Sequence, residues 1–296
     1  MKELIENAIK EVLKKIDKNI EYFGDMFPTP ASTNLVYQKQ DNTDDWVQSF
    51  YTGMIWLAYE LTADDKYLNL AKKHTQSFMN RVDNNQGMGT HDIGFMYTLS
   101  AVADYKLTKD PKALETAVKA ADKLMIRFRE KGEFIQAWGD LDNPSNYRLI
   151  IDCYMNLPLL FFVSEETKDE TYKNVAIKHA YTALNTVLRE DNSTFHTFYF
   201  DPETGEPDRG VTAQGYTNNS CWARGQAWGI YGFALVFSAI KDELFLESFH
   251  KIADYFIKHL PKDNVPYWDL AFQEGDEERD SSSASIAICG FLEVLK

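Results

Sequence analysis

Two aspartates sit where carboxylates rarely go without a use. Asp92 lies in Gly89-Thr90-His91-Asp92-Ile93-Gly94-Phe95, at the head of an apolar helical run, and Asp152 lies in Arg148-Leu149-Ile150-Ile151-Asp152-Cys153-Tyr154-Met155. Carboxylates are seldom buried unless paired or employed. For Asp92 an ordinary helix N-cap explains the position equally well, and both readings stand. Asp152 is expected inside its apolar helix rather than before it, so capping does not account for it. Desolvation there favours the protonated acid that general acid catalysis requires. Two carboxylates facing one cavity also push their titrations apart, leaving one as acid and the other ionised.

A third constellation runs from Gln214 through Trp222-Ala223-Arg224-Gly225-Gln226-Ala227-Trp228. Helical spacing puts Arg224 one turn from Trp228. A guanidinium fork between indoles suits a small anionic ring, with paired hydrogen bonds to a carboxylate and an indole under the ring's apolar face. A core Trp beside a salt-bridged Arg would give the same pattern. Trp46, Trp138 and His196 add rings and a polar hydrogen-bonding group, consistent with a carbohydrate cleft, and the aromatic content of 14% fits one. Other chemistries lack their residues. The six histidines are scattered with no H-E-x-x-H or H-x-x-E-H, so no metal is expected. Neither G-x-G-x-x-G nor a Walker loop occurs, so no nucleotide cofactor is expected, and G-x-S-x-G is absent. The acidic run Glu274–Asp280 reads as a solvated loop.

These side chains need a scaffold, and a repeated junction supplies it. Leu61-Thr62-Ala63-Asp64 is answered by Leu107-Thr108-Lys109-Asp110, by Glu166-Thr167-Lys168-Asp169 and, more weakly, by Ala239-Ile240-Lys241-Asp242. Each Asp falls where a helix N-cap belongs. Seven residues later come Ala71, Ala117, Ala176 and Phe249, predicting one buried face two turns on. The interval between junctions lengthens along the chain, as it does when hairpins accept insertions on one side. Apolar helices are predicted at 50–61, 93–107, 149–163, 224–240 and 283–295. Amphipathic ones are predicted at 66–81, 111–128, 170–188 and 243–260, with 4–22 as an opener. Helices apolar all round belong inside and amphipathic ones outside. The expected fold is therefore all-α, a single α/α toroid over 1–296, with the insertions 84–90, 132–148 and 189–221 holding the candidate site.

Composition excludes several partners. The net charge of −14 gives no long-range attraction to nucleic acid or to an anionic membrane. No apolar run approaches the ~20 residues that cross a bilayer, and the N-terminus lacks a signal peptide's apolar core. Cys153, Cys221 and Cys289 read as buried free thiols, which fits a cytoplasmic protein.

The segments Asp45-Trp46 through Gly53, His91 to Phe95, Ile151-Asp152-Cys153-Tyr154-Met155-Asn156, Trp222 to Trp228, Tyr267-Trp268-Asp269 and Arg279-Asp280-Ser281-Ser282 together resemble the unsaturated glucuronyl hydrolases of glycoside hydrolase family 88. The resemblance spans nearly the whole chain in order. It implies an (α/α)6 barrel that releases the unsaturated glucuronyl residue from disaccharides left by lyases acting on glycosaminoglycans. In the implied scheme Asp152 protonates C4 of the unsaturated sugar and activates the water that adds at C5. Asp92 is the ionised partner. His91, His196, Gln214 and Arg224 hold uronate and hydroxyl groups, and Trp46, Trp138, Trp222 and Trp228 wall the ring.

The opener, five apolar and four amphipathic helices fall one hairpin short of six, so the ring is expected to lack its last hairpin and tail and to expose an apolar flank at 284–295. The oligomeric state stays open. Three rivals remain: an unsaturated rhamnogalacturonyl hydrolase on the same fold, a sugar epimerase, and a non-catalytic glycan-binding protein.

Overall fold

The four Asp junctions are tight turns joining one helix to the next. At each, a non-glycine residue (Ala63, Lys109, Lys168 or Lys241) takes the left-handed conformation, with φ between 53° and 65°. The following Asp then accepts a backbone N–H from two residues on: Asp64 from Lys66, Asp110 from Lys112, Asp169 from Thr171 and Asp242 from Leu244. The left-handed residue closes the outgoing helix on its own carbonyls, and the aspartate satisfies an orphan donor of the incoming one. Ala71, Ala117, Ala176 and Phe249 are all buried, as their spacing predicts.

The computed structural model describes residues 2–296, which divide into two compact units. The first holds the residues up to Met88 together with Asp92–Lys123. It contains α1 (Lys2–Phe23), the hairpin strands β1 (Phe27–Pro28) and β2 (Lys39–Gln40), α2 (Gln48–Thr62), α3 (Asp65–Asp83), α4 (Ile93–Tyr97), α5 (Ala103–Thr108) and most of α6 (Pro111–Met125). A π-helical turn over Thr98–Val102 separates α4 from α5, where one uninterrupted helix was expected. Within it the Ser100 hydroxyl donates to Met96 O at 2.6 Å, competing with the backbone for that carbonyl. The core is aromatic: Tyr51 and Trp56 of α2, Phe78 of α3 and Tyr97 of α4 are buried. Trp56 Nε1 donates to Thr75 Oγ1 at 3.2 Å and Tyr97 OH to Phe78 O at 2.9 Å, whereas the buried Tyr51 hydroxyl has no hydrogen-bond partner among the described residues.

The second unit holds Gly89–His91 and Leu124–Lys296. Its elements are β3 (Phe128–Arg129), β4 (Phe134–Ile135), β5 (Arg148–Ile150), α7 (Leu157–Thr167), α8 (Glu170–Val187), β6 (Thr197–Phe200), β7 (Pro207–Val211), α9 (Ala223–Ile240), α10 (Glu243–Lys258) and α11 (Ser281–Val294). Here the predicted helix at 149–163 is corrected. Arg148–Ile150 is a strand, Ile151–Asn156 is a 3-10 turn, and α7 starts only at Leu157. Pro158 fixes that start, because a residue with no N–H is tolerated only in a helix's first turn. The β-rich insertion at 189–221 captures the upstream apolar residues in an antiparallel sheet of order β5-β6-β7, with Leu149 opposite Phe198.

In this unit α10, α11 and the 3-10 turn all pack on α9. Close approach requires glycine: a Cβ on Gly232 would lie 2.3 Å from Tyr154 Cβ, and one on Gly290 2.9 Å from the Tyr231 backbone. Cys153 and Cys221 are buried as expected, and burial pushes Cys221 up to about 12. Cys289 is the correction: α11 turns it outward beside Ile288 and Leu292, both more than half exposed. Among the described residues no helix is long and apolar enough to cross a membrane.

Candidate active site

The end of β5 carries the first candidate. Ile150 pairs with Thr197, and Ile151 N donates to His196 O at 2.9 Å, so the sheet brings the backbone at Asp152 beside the backbone at His196. Gly225 leaves room for the Trp222 ring, 2.8 Å from where a Cβ would sit, and for the Ile151 side chain, 3.3 Å from it. The 3-10 turn is thereby fixed against α9.

Asp152 Oδ1 lies 3.5 Å from His91 Nε2. Asp152 keeps partial access to solvent whereas His91 is almost wholly buried. Burial, reinforced by the positive charges of Arg127 and Arg148, drives the His91 pKa down to about 3. His91 therefore meets Asp152 as a neutral imidazole, and the contact is not an ion pair at neutral pH. An imidazole and a carboxylate at this spacing could also share a divalent cation. The chemistry considered below requires none.

The two arginines also build the Trp138 wall. Arg127 donates to Gln136 O, Ala137 O and Gly139 O at 2.8–3.0 Å, holding the turn on both sides of the indole. Arg148 lies 4.1 Å from the Trp138 ring centre, leaving that ring half exposed.

A second cluster joins His196, Trp222, Gln214 and Arg224. The His196 ring is 4.9 Å from Trp222, its Nδ1 is 2.6 Å from Thr197 Oγ1, and burial lowers its pKa to about 4 against the raising effect of a hydrogen bond with Gln214. Gln214 is exposed on a loop that the buried Asp269 organises by accepting Tyr216 N at 2.9 Å and Ser220 Oγ at 2.7 Å. The Arg224 guanidinium lies 5.2 Å from the Trp222 ring, and its Nε is 3.1 Å from Asp280 Oδ2. Trp228 is buried further along α9. Gln226, between them, is a brace: it accepts from Thr194 and donates to Asn192 O and Ile252 O.

In the first unit Asp92 is buried at the N-terminus of α4 and makes no side-chain capping hydrogen bond. Of its two readings, the cap is the one the geometry does not support. One turn on, Phe95 meets Trp46 at 5.1 Å between ring centres, and Phe50 meets Trp46 at 5.7 Å. The buried Arg81 donates to Asp45 O and Asn42 Oδ1, both at 2.9 Å, and so anchors the backbone next to Trp46.

Sequence reasoning missed Arg81, Arg127, Arg148, Asp269 and Asp280 as supports. The run 274–279 is exposed, as the solvated-loop reading has it, and Asp280 alone departs from it, being buried, capping α11 and pairing with Arg224. Asp269 and Asp280 lay within the segments that carry the family resemblance, which was the available signal. The arginines carried none, because helix ends and strands hold many.

Comparison with known proteins extends over the whole of this framework. The family model described as Glycosyl Hydrolase Family 88 matches residues 16–296. An unsaturated chondroitin disaccharide hydrolase of Streptococcus agalactiae is 52% identical over 99% of this chain and 73% of its own length. The crystal structure of an unsaturated glucuronyl hydrolase from the same species superposes with a TM-score of 0.97 at 51% identity, covering 100% of this chain and 74% of that one. A variant of that enzyme solved in complex with dGlcA-GalNAc6S gives a TM-score of 0.87 at 47% identity, covering 100% and 73%. The fold class is the α/α barrel of these hydrolases. The chain belongs to glycosyl hydrolase family 88.

Proposed function

We propose that the chain removes the 4,5-unsaturated glucuronyl residue from lyase-generated glycosaminoglycan disaccharides, working as one catalytic domain over 1–296. The observation that carries this reading is Asp152, partly open to solvent beside a neutral His91, with its backbone tied to His196 and hence to the Trp222–Arg224 cluster. The dGlcA-GalNAc6S complex of a relative supports the substrate class.

The substrate's nonreducing ring is a vinyl ether conjugated to its carboxylate. Asp152 donates its proton to C4, and the carboxylate so formed takes a proton from the water that attacks C5. The resulting C5 hemiketal opens to a ketone and leaves C1 as a hemiacetal, which expels the second sugar. Asp92 acts as the ionised partner that positions the ring and steadies positive charge developing at C5. Arg224 takes the uronate, His91, His196 and Gln214 take hydroxyls, and Trp46, Trp138, Trp222 and Trp228 enclose the ring. With a net charge of −14 opposing an anionic substrate at long range, a local cation such as Arg224 is needed. No metal or other cofactor takes part. The unpaired thiols suit a reducing cytoplasm.

Loss of the double bond's ultraviolet absorbance tests the reading. Chondroitin-derived unsaturated disaccharide should lose it on addition of the protein. Turnover only of a pectin-derived unsaturated disaccharide would move the assignment to the rhamnogalacturonyl enzymes. Binding without absorbance loss would make the protein a glycan-binding one.

A further inference from the structure

The Arg224–Asp280 contact links the proposed uronate site to a helix that otherwise has no part in it. Asp280 is 8% exposed and uses its two oxygens differently. Oδ1 accepts the backbone N–H of Ser282 at 3.1 Å and of Ser283 at 3.2 Å, with the Ser282 hydroxyl also on it at 2.5 Å, so it is bound to the first turn of α11. Oδ2 lies 3.1 Å from Arg224 Nε, an ion-pair distance at which the two atoms make no hydrogen bond. Arg224 is itself 43% exposed, lies against the Trp222 ring, and has no hydrogen bond to its two terminal nitrogens among the described residues.

The aliphatic stem of an arginine turns about several single bonds, and a fixed carboxylate beside the guanidinium limits that freedom. The guanidinium is planar by delocalisation, so once its stem is fixed its two terminal N–H groups meet a carboxylate with two parallel hydrogen bonds. We infer that Asp280 is a positioning residue for recognition of the anionic sugar, its charge drawing the Nε side of Arg224 to it so that the terminal nitrogens face the uronate carboxylate. The inference rests on the proposed function for the identity of the anion. Its energetic content is preorganisation: ordering the arginine in advance removes a cost that binding would otherwise bear. The negative charge of Asp280 pulls the other way by partly neutralising the site, so the sign of the effect is itself informative.

Asp280→Asn separates the two uses. Asparagine caps helices about as well as aspartate, so Oδ1 keeps its backbone donors while the charge against Arg224 is lost. With the unsaturated chondroitin disaccharide, KM should rise about tenfold while kcat changes less than about twofold, the signature of lost uniform binding. The decisive arm is the double variant. In an Arg224→Gln background, Asp280→Asn should leave KM where Arg224→Gln alone put it. Equal effects of Asp280→Asn in both backgrounds, or a KM that falls or stays unchanged in the single variant, would overturn the inference. If Asp280→Asn fails to fold, Asp280→Ser retains a cap with a shorter side chain and carries the same expectation. Wild-type turnover is the control that separates the two claims: without it the proposed function fails, and with it only the role of Asp280 is at issue.

Discussion

Aspartates at helix N-termini fall into two groups in this molecule. Asp64, Asp110, Asp169, Asp242 and Asp280 each accept a backbone N–H from the turn that follows. Asp92 occupies the same position ahead of α4, is buried, and does not. Position alone would assign all of them the same structural task. Capping separates a group that stabilises a helix from Asp92, to which the proposed function gives a chemical role, and Asp152, displaced from its expected helix onto a 3-10 turn, shares that proposal. Asp280 caps α11 with one oxygen and faces Arg224 with the other.

Substitutions should reproduce the division. The largest effect is expected at Asp152→Asn: kcat should fall by about 10³-fold or more, while the disaccharide still binds in calorimetry, because the proton donor goes and little volume changes. Activity near wild type in that variant would sink the assignment of the acid. Asp92→Asn should cost about 10²-fold or more in kcat with a melting temperature close to wild type. A lower melting temperature with full activity would instead return Asp92 to the caps.

pH separates the caps from the buried histidines, His91 and His196 among them, because the two sets lose stability in different windows. His74, His91, His179 and His196 are buried, and burial lowers their pKa values to between about 3 and about 4. Below the ordinary histidine value of about 6.5, the unfolded chain takes up protons that the folded one refuses, so stability should fall as pH drops from about 6.5 toward 4. The caps act lower. Asp110 is held below its usual value chiefly by Lys72, Asp169 by Thr171 and Asp242 by Tyr181, so their contribution is present above about 4 and lost as pH falls through the lowered values. Thermal melts from pH 7 to 3 should show both phases, and His91→Gln should flatten the upper one. An unchanged upper phase would mean that His91 does not resist protonation.

The smallest effect belongs to a pure cap. Asp64→Ala should cost about 1 kcal/mol, a shift of roughly 2 °C in melting temperature, with turnover intact. A loss of activity there would blur the division.

The helical hairpins were legible because their signals are local. Thr-x-Asp junctions, a buried residue seven positions on and apolar periodicity repeat from hairpin to hairpin. The helix over 149–163 was misread because Leu149-Ile150-Ile151 is apolar in either state, and a strand more than forty residues away decides between them. The chemical side chains could be named from their types and neighbours. Their supports could not. Arg127 and Arg148 act by holding an irregular loop that no periodicity marks, and Asp280 reaches Arg224 from a segment whose charge composition looked solvated.

Turnover in heavy water tests the central claim most directly. If Asp152 delivers a proton to C4, the released keto-acid sugar carries one solvent deuterium at C4, read at early turnover before enolisation exchanges that position. Release of the second sugar with no deuterium at C4 would contradict vinyl-ether hydration and point to direct cleavage at the anomeric carbon.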